Sequence, residues 1–147
     1  INSDFHNKNN MKCLNKNIRL TVLEMVKKSR ASHIGSALSM IEIINCVYES
    51  VNLAKIRKNS NDRDRIILSK GHGTSALYAV LYHHDLLKKN HIENYFSNGS
   101  EMAGHASHFV DYVEHSTGAL GHGLSVGLGL ALGSKSKGYQ NKVYVIV

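Results

Sequence analysis

The most constraining feature of this 147-residue chain is a short apolar strand that leads into a glycine-rich loop and then into a helical stretch. Residues 66–68 form the strand, residues 69–74 have the sequence Ser-Lys-Gly-His-Gly-Thr, and a helix is predicted over residues 75–87. This arrangement presents backbone N–H groups to an anion. A similar loop, Ser-Thr-Gly-Ala-Leu-Gly-His-Gly, occupies residues 116–123. The two loops predict a site for a cofactor that carries phosphate groups.

The order of the predicted elements indicates an α/β domain with a parallel sheet flanked by helices. Ser39 and Glu42 have the spacing of a capping box at the start of a helix. The charged segment 54–65 is predicted to be an exposed connection, with Asp62 to Arg65 as a salt-linked cap before the first strand. The long irregular segment 98–116 is typical of a functional loop. The remaining predictions are helices over residues 12–28, 91–96 and 121–135, and a buried parallel strand over residues 142–147.

Four glycines lie inside the last predicted helix, at positions 123, 127, 129 and 133. Each interior glycine costs a helix about 1 kcal/mol relative to alanine. We therefore expect something to pack closely against this helix and to offset this cost.

Composition excludes several classes of protein. Eighteen lysines and arginines give a net charge of +7, but they are spread along the chain without a basic run, which argues against nucleic-acid binding. The longest uncharged segment, residues 119–133, is shorter than the roughly 20 residues that a membrane helix needs. Cys13 and Cys46 lack metal-ligand spacing and are predicted to be reduced thiols, although a bridge between them stays open. These features predict a cytoplasmic protein without a membrane segment.

Four histidines lie beside glycine in the predicted loops: His33, His72, His105 and His122. Loops at the carboxyl ends of parallel strands converge on one crevice, so we expect these side chains to meet. A neutral imidazole can bind a phosphate, a carbonyl or a hydroxyl, and can transfer a proton. Zinc binding through His105 and His108 is a less favoured alternative, because no third ligand follows a zinc-site pattern.

Four segments in order closely resemble the N-terminal, thiamine-diphosphate-binding domain of the transketolase family. They are Ser-His-Ile-Gly-Ser at 32–36, the run from Asp62 to Gly73, Ala-Gly-His at 103–105, and residues 116–123. The resemblance covers the chain from about residue 12. We therefore assign residues 12–147 to this domain and residues 1–11 to a polar tail.

The resemblance implies an enzyme of carbohydrate metabolism, such as the pentose phosphate reactions. It would transfer a two-carbon ketol unit from a ketose phosphate to an aldose acceptor, using thiamine diphosphate (ThDP) and Mg²⁺. By motif, His33 corresponds to a histidine that contacts substrate, and His105 to one that contacts the donor hydroxyl. His72 corresponds to a histidine near the cofactor diphosphate that is also available to substrate. All three are predicted catalytic residues.

The same resemblance assigns cofactor binding to His72 and to the backbone of Gly118, Ala119 and Leu120, which would meet the aminopyrimidine side of ThDP. His122 departs from the family, where glutamine is common. The Gly-Asp-Gly motif and the asparagine that hold Mg²⁺ and diphosphate in the family do not occur in these 147 residues. We therefore expect the chain to be truncated before that motif, with the metal ligands beyond residue 147, and to bind ThDP poorly and be inactive alone.

The family also implies a pyrimidine-binding domain, on the same chain or a separate one, in a homodimer or heterotetramer. Two alternatives stay open. One is an enzyme similar to deoxyxylulose-phosphate synthase, which also uses ThDP but releases CO₂. The other is a non-catalytic partner domain of the same fold.

Overall fold

The computed structural model describes the backbone of residues 2–147 and the side chains of residues 11–147. Seven helices and two strands are assigned within this range. In chain order they are α1 (Asn2–Ser29), α2 (Ile34–Leu38), α3 (Ile41–Ser50), α4 (Leu53–Arg57), β1 (Arg65–Leu68), a 3-10 turn (Gly71–Gly73), α5 (Thr74–His83), α6 (Lys89–Glu93), α7 (His122–Ser136) and β2 (Val143–Ile146).

The two strands pair in parallel, with Arg65 opposite Val143 and Leu68 opposite Ile146. The Ser69 N–H extends the ladder by donating to the Ile146 carbonyl at 2.7 Å. Strands and helices therefore form the predicted α/β fold, and the glycine-rich loop begins where β1 ends. Since parallel strands share one carboxyl edge, this edge is where the functional loops are expected to meet.

The core lies between α1, α3 and α5. Helix α5 is buried from Thr74 to Leu81, which explains why its sequence is apolar around its whole circumference. The amphipathic helices α1 and α3 cover it with one face each. Their fully buried side chains are Ile18 and Val22 from α1, and Ile41, Ile44 and Tyr48 from α3.

A chain of polar groups is buried beside this core. The His84 ring is 8% exposed and its Nε2 lies 2.8 Å from Asn45 Oδ1. Asn45 in turn donates from Nδ2 to Asn15 Oδ1 at 2.8 Å. Burial lowers the pKa of His84, outweighing the attraction of Glu49, whose carboxylate lies 3.9 Å away. The folded protein therefore favours the neutral ring, with its proton on Nε2.

We expect the free energy of unfolding to fall as the pH is lowered from about 7.5 to about 5. Because the pKa of His84 is lower in the folded state than the ordinary 6.5, the unfolded state binds the proton first. The contribution of His84 to the free energy of unfolding is complete above pH 6.5. It is lost as the pH falls toward the pKa that His84 has in the folded protein. His83, His105 and His115 shift in the same direction. Urea unfolding at several pH values would measure this slope. His84→Gln should make it shallower, and an unchanged slope would contradict the assignment.

The predicted capping box is wrong. The N-cap of α3 is Met40, and no side chain of residues 11–147 caps that end. Ser39 is the C-cap of α2, and its hydroxyl donates to the Ser36 carbonyl at 2.8 Å. Glu42 instead pairs with the Arg19 guanidinium. Both side chains of the motif are thus engaged by neighbouring helices, which the local pattern cannot show.

Segment 54–65 is more ordered than predicted, because it contains most of α4. The Asn52 side chain accepts a hydrogen bond from the Lys55 N–H at 3.2 Å and so caps this helix, and Ile56 is buried. Strand β2 is less buried than predicted: only Ile146 is fully buried, since β1 is its one neighbour among the described residues.

Helix bounds also differ from the predictions. The first helix begins at Asn2 rather than at residue 12, and the division between a tail at 1–11 and a domain from 12 stays a prediction. The side chains of residues 1–10 lie outside the described part. Helix α5 ends at His83 rather than 87, because Asp85 adopts a left-handed conformation (φ 56°) that turns the chain.

Cys13 and Cys46 are free and exposed. Among the described residues, no helix has the length and hydropathy needed to cross a membrane.

Candidate active site

Three of the four predicted histidines come together. The ring centroids of His33 and His72 lie 4.4 Å apart, those of His72 and His105 5.3 Å, and those of His33 and His105 6.1 Å. Each ring comes from a different segment: His33 precedes α2, His72 lies in the turn after β1, and His105 lies in the long loop. The predicted convergence is therefore correct for these three residues.

The turn that carries His72 is held close to the long loop by Gly71. A Cβ at this position would lie 2.2 Å from Thr117 Oγ1 and 3.0 Å from the His105 ring, so only glycine allows the contact. Within the long loop, the Thr117 N–H donates to the Ala106 carbonyl at 2.9 Å. This bond closes the loop on itself beside His105. The glycine of the motif thus sets the distance between two of the histidines.

Gly73 also allows close packing, on the other side of the turn. A Cβ there would lie 2.0 Å from Met40 Sδ, so the turn packs directly on the segment that joins α2 to α3. His33 is the N-cap of α2 and adopts the left-handed conformation, with φ 69°. A residue other than glycine in this region carries strain, and such strain is concentrated at functional sites. This conformation places the ring against His72.

The surroundings of His105 change its protonation. Partial burial lowers the pKa of His105, and the neighbouring rings of His72 and His33 lower it further. His105 is therefore neutral at pH 7. A neutral ring has one donor and one acceptor nitrogen, so it can bind a hydroxyl and accept a proton from it.

His122 does not join this group, so that part of the prediction is wrong. It begins α7, and its ring lies edge-on to His115 at 5.4 Å. His115 has its pKa lowered by burial and by the rings of His122 and His108. The Ser116 hydroxyl accepts from the His108 backbone N–H at 2.9 Å, and it lies 2.6 Å from His108 Nδ1. These residues form a second histidine cluster that the sequence pattern does not reveal.

The second glycine-rich loop lies beside the first. Gly123, in the first turn of α7, packs so closely on Ser69 that a Cβ would lie 2.8 Å from the Ser69 Cα. The preceding residues, Gly118, Ala119 and Leu120, are exposed, and their backbone is open to a ligand. Both loops therefore sit at the carboxyl edge of the sheet, as expected.

Two buried hydroxyls lie at this edge without partners. Neither Ser69 Oγ nor Thr117 Oγ1 has a hydrogen-bond partner among the described residues. Unsatisfied buried polar groups are costly, and they are often explained by a ligand or a water. In the described part of the chain, no group of three or more His, Cys, Asp or Glu side chains could hold a metal ion, so the zinc alternative has no site there.

Comparison with protein families agrees with this arrangement. Residues 10–143 match the family model described as "Transketolase, thiamine diphosphate binding domain". The chain belongs to the transketolase family. The structure of this transketolase domain is similar to that of transketolase from Leishmania mexicana, with a TM-score of 0.80 and 26% identity over 92% of this chain and 22% of that one.

Curated relatives include proteins named as transketolase subunits. The transketolase domain is 35% identical to a subunit of the apulose-4-phosphate transketolase of Phocaeicola vulgatus, over 88% of this chain and 46% of that protein. It is 31% identical to the 6-deoxy-6-sulfo-D-fructose transketolase subunit SqwG of a Clostridium species, over 88% of this chain and 48% of that protein. The chain thus spans about half the length of these relatives.

Proposed function

We propose that this chain supplies the histidine side of the active site of a ThDP-dependent transferase. The enzyme moves a two-carbon ketol unit from a ketose phosphate to an aldose acceptor in cytoplasmic carbohydrate metabolism, as in the pentose phosphate reactions. The observation that carries the proposal is the convergence of His33, His72 and His105 at the carboxyl edge of the sheet. Family membership independently supports the cofactor, because the matched domain binds thiamine diphosphate.

The residues at this edge fit ThDP. The buried Ser69 and Thr117 hydroxyls have no hydrogen-bond partner in the described part of the chain. His72 lies in the turn that follows Ser69, and residues 118–120 are exposed. We infer that His72 lies on the diphosphate side and that Gly118, Ala119 and Leu120 meet the aminopyrimidine side. When bound, ThDP supplies the nucleophilic carbon and the electron sink that cleavage of the sugar C–C bond needs.

The histidines themselves bind and move protons. His33 and His105 present ring nitrogens to the hydroxyl and carbonyl oxygens of the sugar, and a neutral His105 can take a hydroxyl proton as the donor is cleaved. A ring N–H donated by His33 or His72 would stabilise a developing oxyanion. Mg²⁺, which neutralises the diphosphate, would be held by ligands outside the described residues, as the resemblance implies.

A row of exposed leucines supports the proposal of a partner. Leu120 is 76% exposed, and Leu124, Leu128 and Leu132 follow at intervals of four along α7, each at least 60% exposed. A continuous apolar face of this kind marks an interaction surface. We propose that it contacts the polypeptide that carries the pyrimidine-binding domain, in a heterotetramer or, on one chain, a homodimer. Two relatives are named as subunits, which favours a separate chain. We call this chain together with that partner the assembled enzyme.

Replacing Leu124 and Leu128 together by serine should weaken association with the partner by about 10²- to 10³-fold. Burying each leucine contributes about 1.5–3 kcal/mol to the free energy of association, and the double substitution removes most of this contribution. Analytical ultracentrifugation or calorimetry of the two polypeptides would measure the effect. The control replaces Leu20 and Leu23, which are also exposed but lie on α1. Equal weakening by both pairs would refute α7 as the contact.

The reaction itself is tested by supplying the assembled enzyme with ThDP, Mg²⁺ and either a ketose phosphate with an aldose, or pyruvate with an aldose phosphate. We expect ketol transfer from the ketose phosphate and no CO₂ from pyruvate. CO₂ release would favour the deoxyxylulose-phosphate-synthase-like alternative. The absence of both reactions, with ThDP and partner bound, would favour the non-catalytic alternative.

A further inference from the structure

The long loop is attached to the sheet by one carboxylate that two arginines share. Arg63 binds Glu114 through two parallel hydrogen bonds, Nε to Oε1 at 3.0 Å and Nη2 to Oε2 at 3.1 Å. Arg65 adds a third bond from Nη1 to Oε2 at 3.0 Å. The three side chains are only 13–17% exposed. Paired, largely desolvated groups of this kind interact more strongly than surface ion pairs and fix geometry more precisely.

The position of this ion cluster gives it a specific consequence. Arg63 precedes β1 and Arg65 begins it, and the same strand ends at the turn that carries His72. Glu114 lies three residues before Thr117, whose hydroxyl sits over Gly71 and beside the His105 ring. The ion cluster therefore connects the segment that presents His72 with the loop that presents His105.

We infer that Glu114 is a positioning residue of the active site, which holds the long loop so that His105 lies against His72. Its effect on catalysis rests on the proposed function, but its effect on the position of His105 does not. Removing the carboxylate leaves two largely buried guanidinium groups without their anion. We therefore expect the loop to move so that water can reach both groups. Thr117 and His105 would move away from Gly71 with it.

Glu114→Gln in the assembled enzyme tests this inference, because it keeps the side-chain shape and removes the charge. The reaction of each histidine with diethyl pyrocarbonate, followed by peptide mass spectrometry across pH, reports the pKa and accessibility of its neutral ring. Partial burial lowers the pKa of His105, and the rings of His72 and His33, which face it, lower it further. In the variant we expect the midpoint of the His105 curve to rise toward 6.5, and its high-pH rate to increase about threefold or more. The His84 curve should stay unchanged, showing an intact core.

Activity gives a second readout. Misplacing a reacting group by about 1 Å costs up to about 10²-fold in rate, so kcat for ketol transfer should fall at least about tenfold while KM changes little. Glu42→Gln is the matched control, since it breaks an ion pair between α1 and α3 that does not touch the loop. It should leave the His105 curve and kcat as they are.

Arg65→Gln keeps the Arg63–Glu114 pair, and it is the variant to measure if the Glu114→Gln protein does not fold. It should move the His105 curve in the same direction by a smaller amount. A folded Glu114→Gln or Arg65→Gln protein whose His105 curve matches the wild type would overturn the inference. If the wild type itself lacks ketol transfer, the proposed function fails, and the His105 curve still decides the positioning role.

Discussion

Replacing His72 by alanine in the assembled enzyme should lower kcat/KM for ketol transfer by about 10²- to 10³-fold and weaken ThDP binding by about tenfold. The ring lies 4.4 Å from His33 and 5.3 Å from His105, at the centre of the cluster. Its removal would take away the proposed donor to the diphosphate and the ring that lies against both other histidines. Both cofactor affinity and the chemical step should therefore suffer.

Steady-state kinetics and ThDP titration, monitored by calorimetry, would measure the two losses. His91→Ala is the control: this ring accepts a hydrogen bond from the Lys88 N–H at 3.0 Å at the start of α6, away from the cluster. It should change kcat/KM less than about twofold, since capping affects stability by only about 1 kcal/mol. Equal kinetics for the two variants would remove His72 from the site.

Replacing Gly123 by alanine should destabilise the chain by up to about 2 kcal/mol. The new Cβ would lie 2.8 Å from the Ser69 Cα, a backbone atom that cannot rotate away, so α7 must move off the end of β1. Such overpacking typically costs about 1–3 kcal/mol, which exceeds the helix-propensity gain of about 1 kcal/mol from alanine. Urea unfolding of the chain alone would show the lower midpoint.

Gly129→Ala, in the same helix, is the matched control. No atom of the described residues lies within 4 Å of a Cβ at this position, so the substitution should stabilise the chain by up to about 1 kcal/mol. Opposite signs for the two substitutions are the expected result. If both stabilise the chain, the close contact between α7 and β1 is wrong.

The same comparison shows how far the glycine pattern can be interpreted from the sequence. The prediction that something packs closely against the last helix is confirmed at Gly123, and also at Gly127, where a Cβ would lie 2.3 Å from Val145 Cγ2. At Gly129 and Gly133 no described atom lies within 4 Å of a Cβ, so for these two positions it stays a prediction. Spacing alone cannot distinguish a glycine packed on the sheet from one on the exposed side of α7, because both lie on the same helix.

The fold class and the convergence of His33, His72 and His105 can be predicted, because both depend on rules that hold for any parallel sheet. Contacts between residues far apart in sequence cannot. The charged run before β1 predicts a salt-linked cap, but its partner Glu114 lies 51 residues from Arg63. The pairing of His122 with His115 escapes prediction for a related reason: a turn that only the folded chain defines brings the two rings together.

The position of ThDP in the assembled enzyme tests the central claim most directly. A crystal structure with ThDP and Mg²⁺ should place the diphosphate beside His72, the aminopyrimidine against the backbone of residues 118–120, and a sugar substrate between His33 and His105. ThDP bound away from these three histidines would contradict the account.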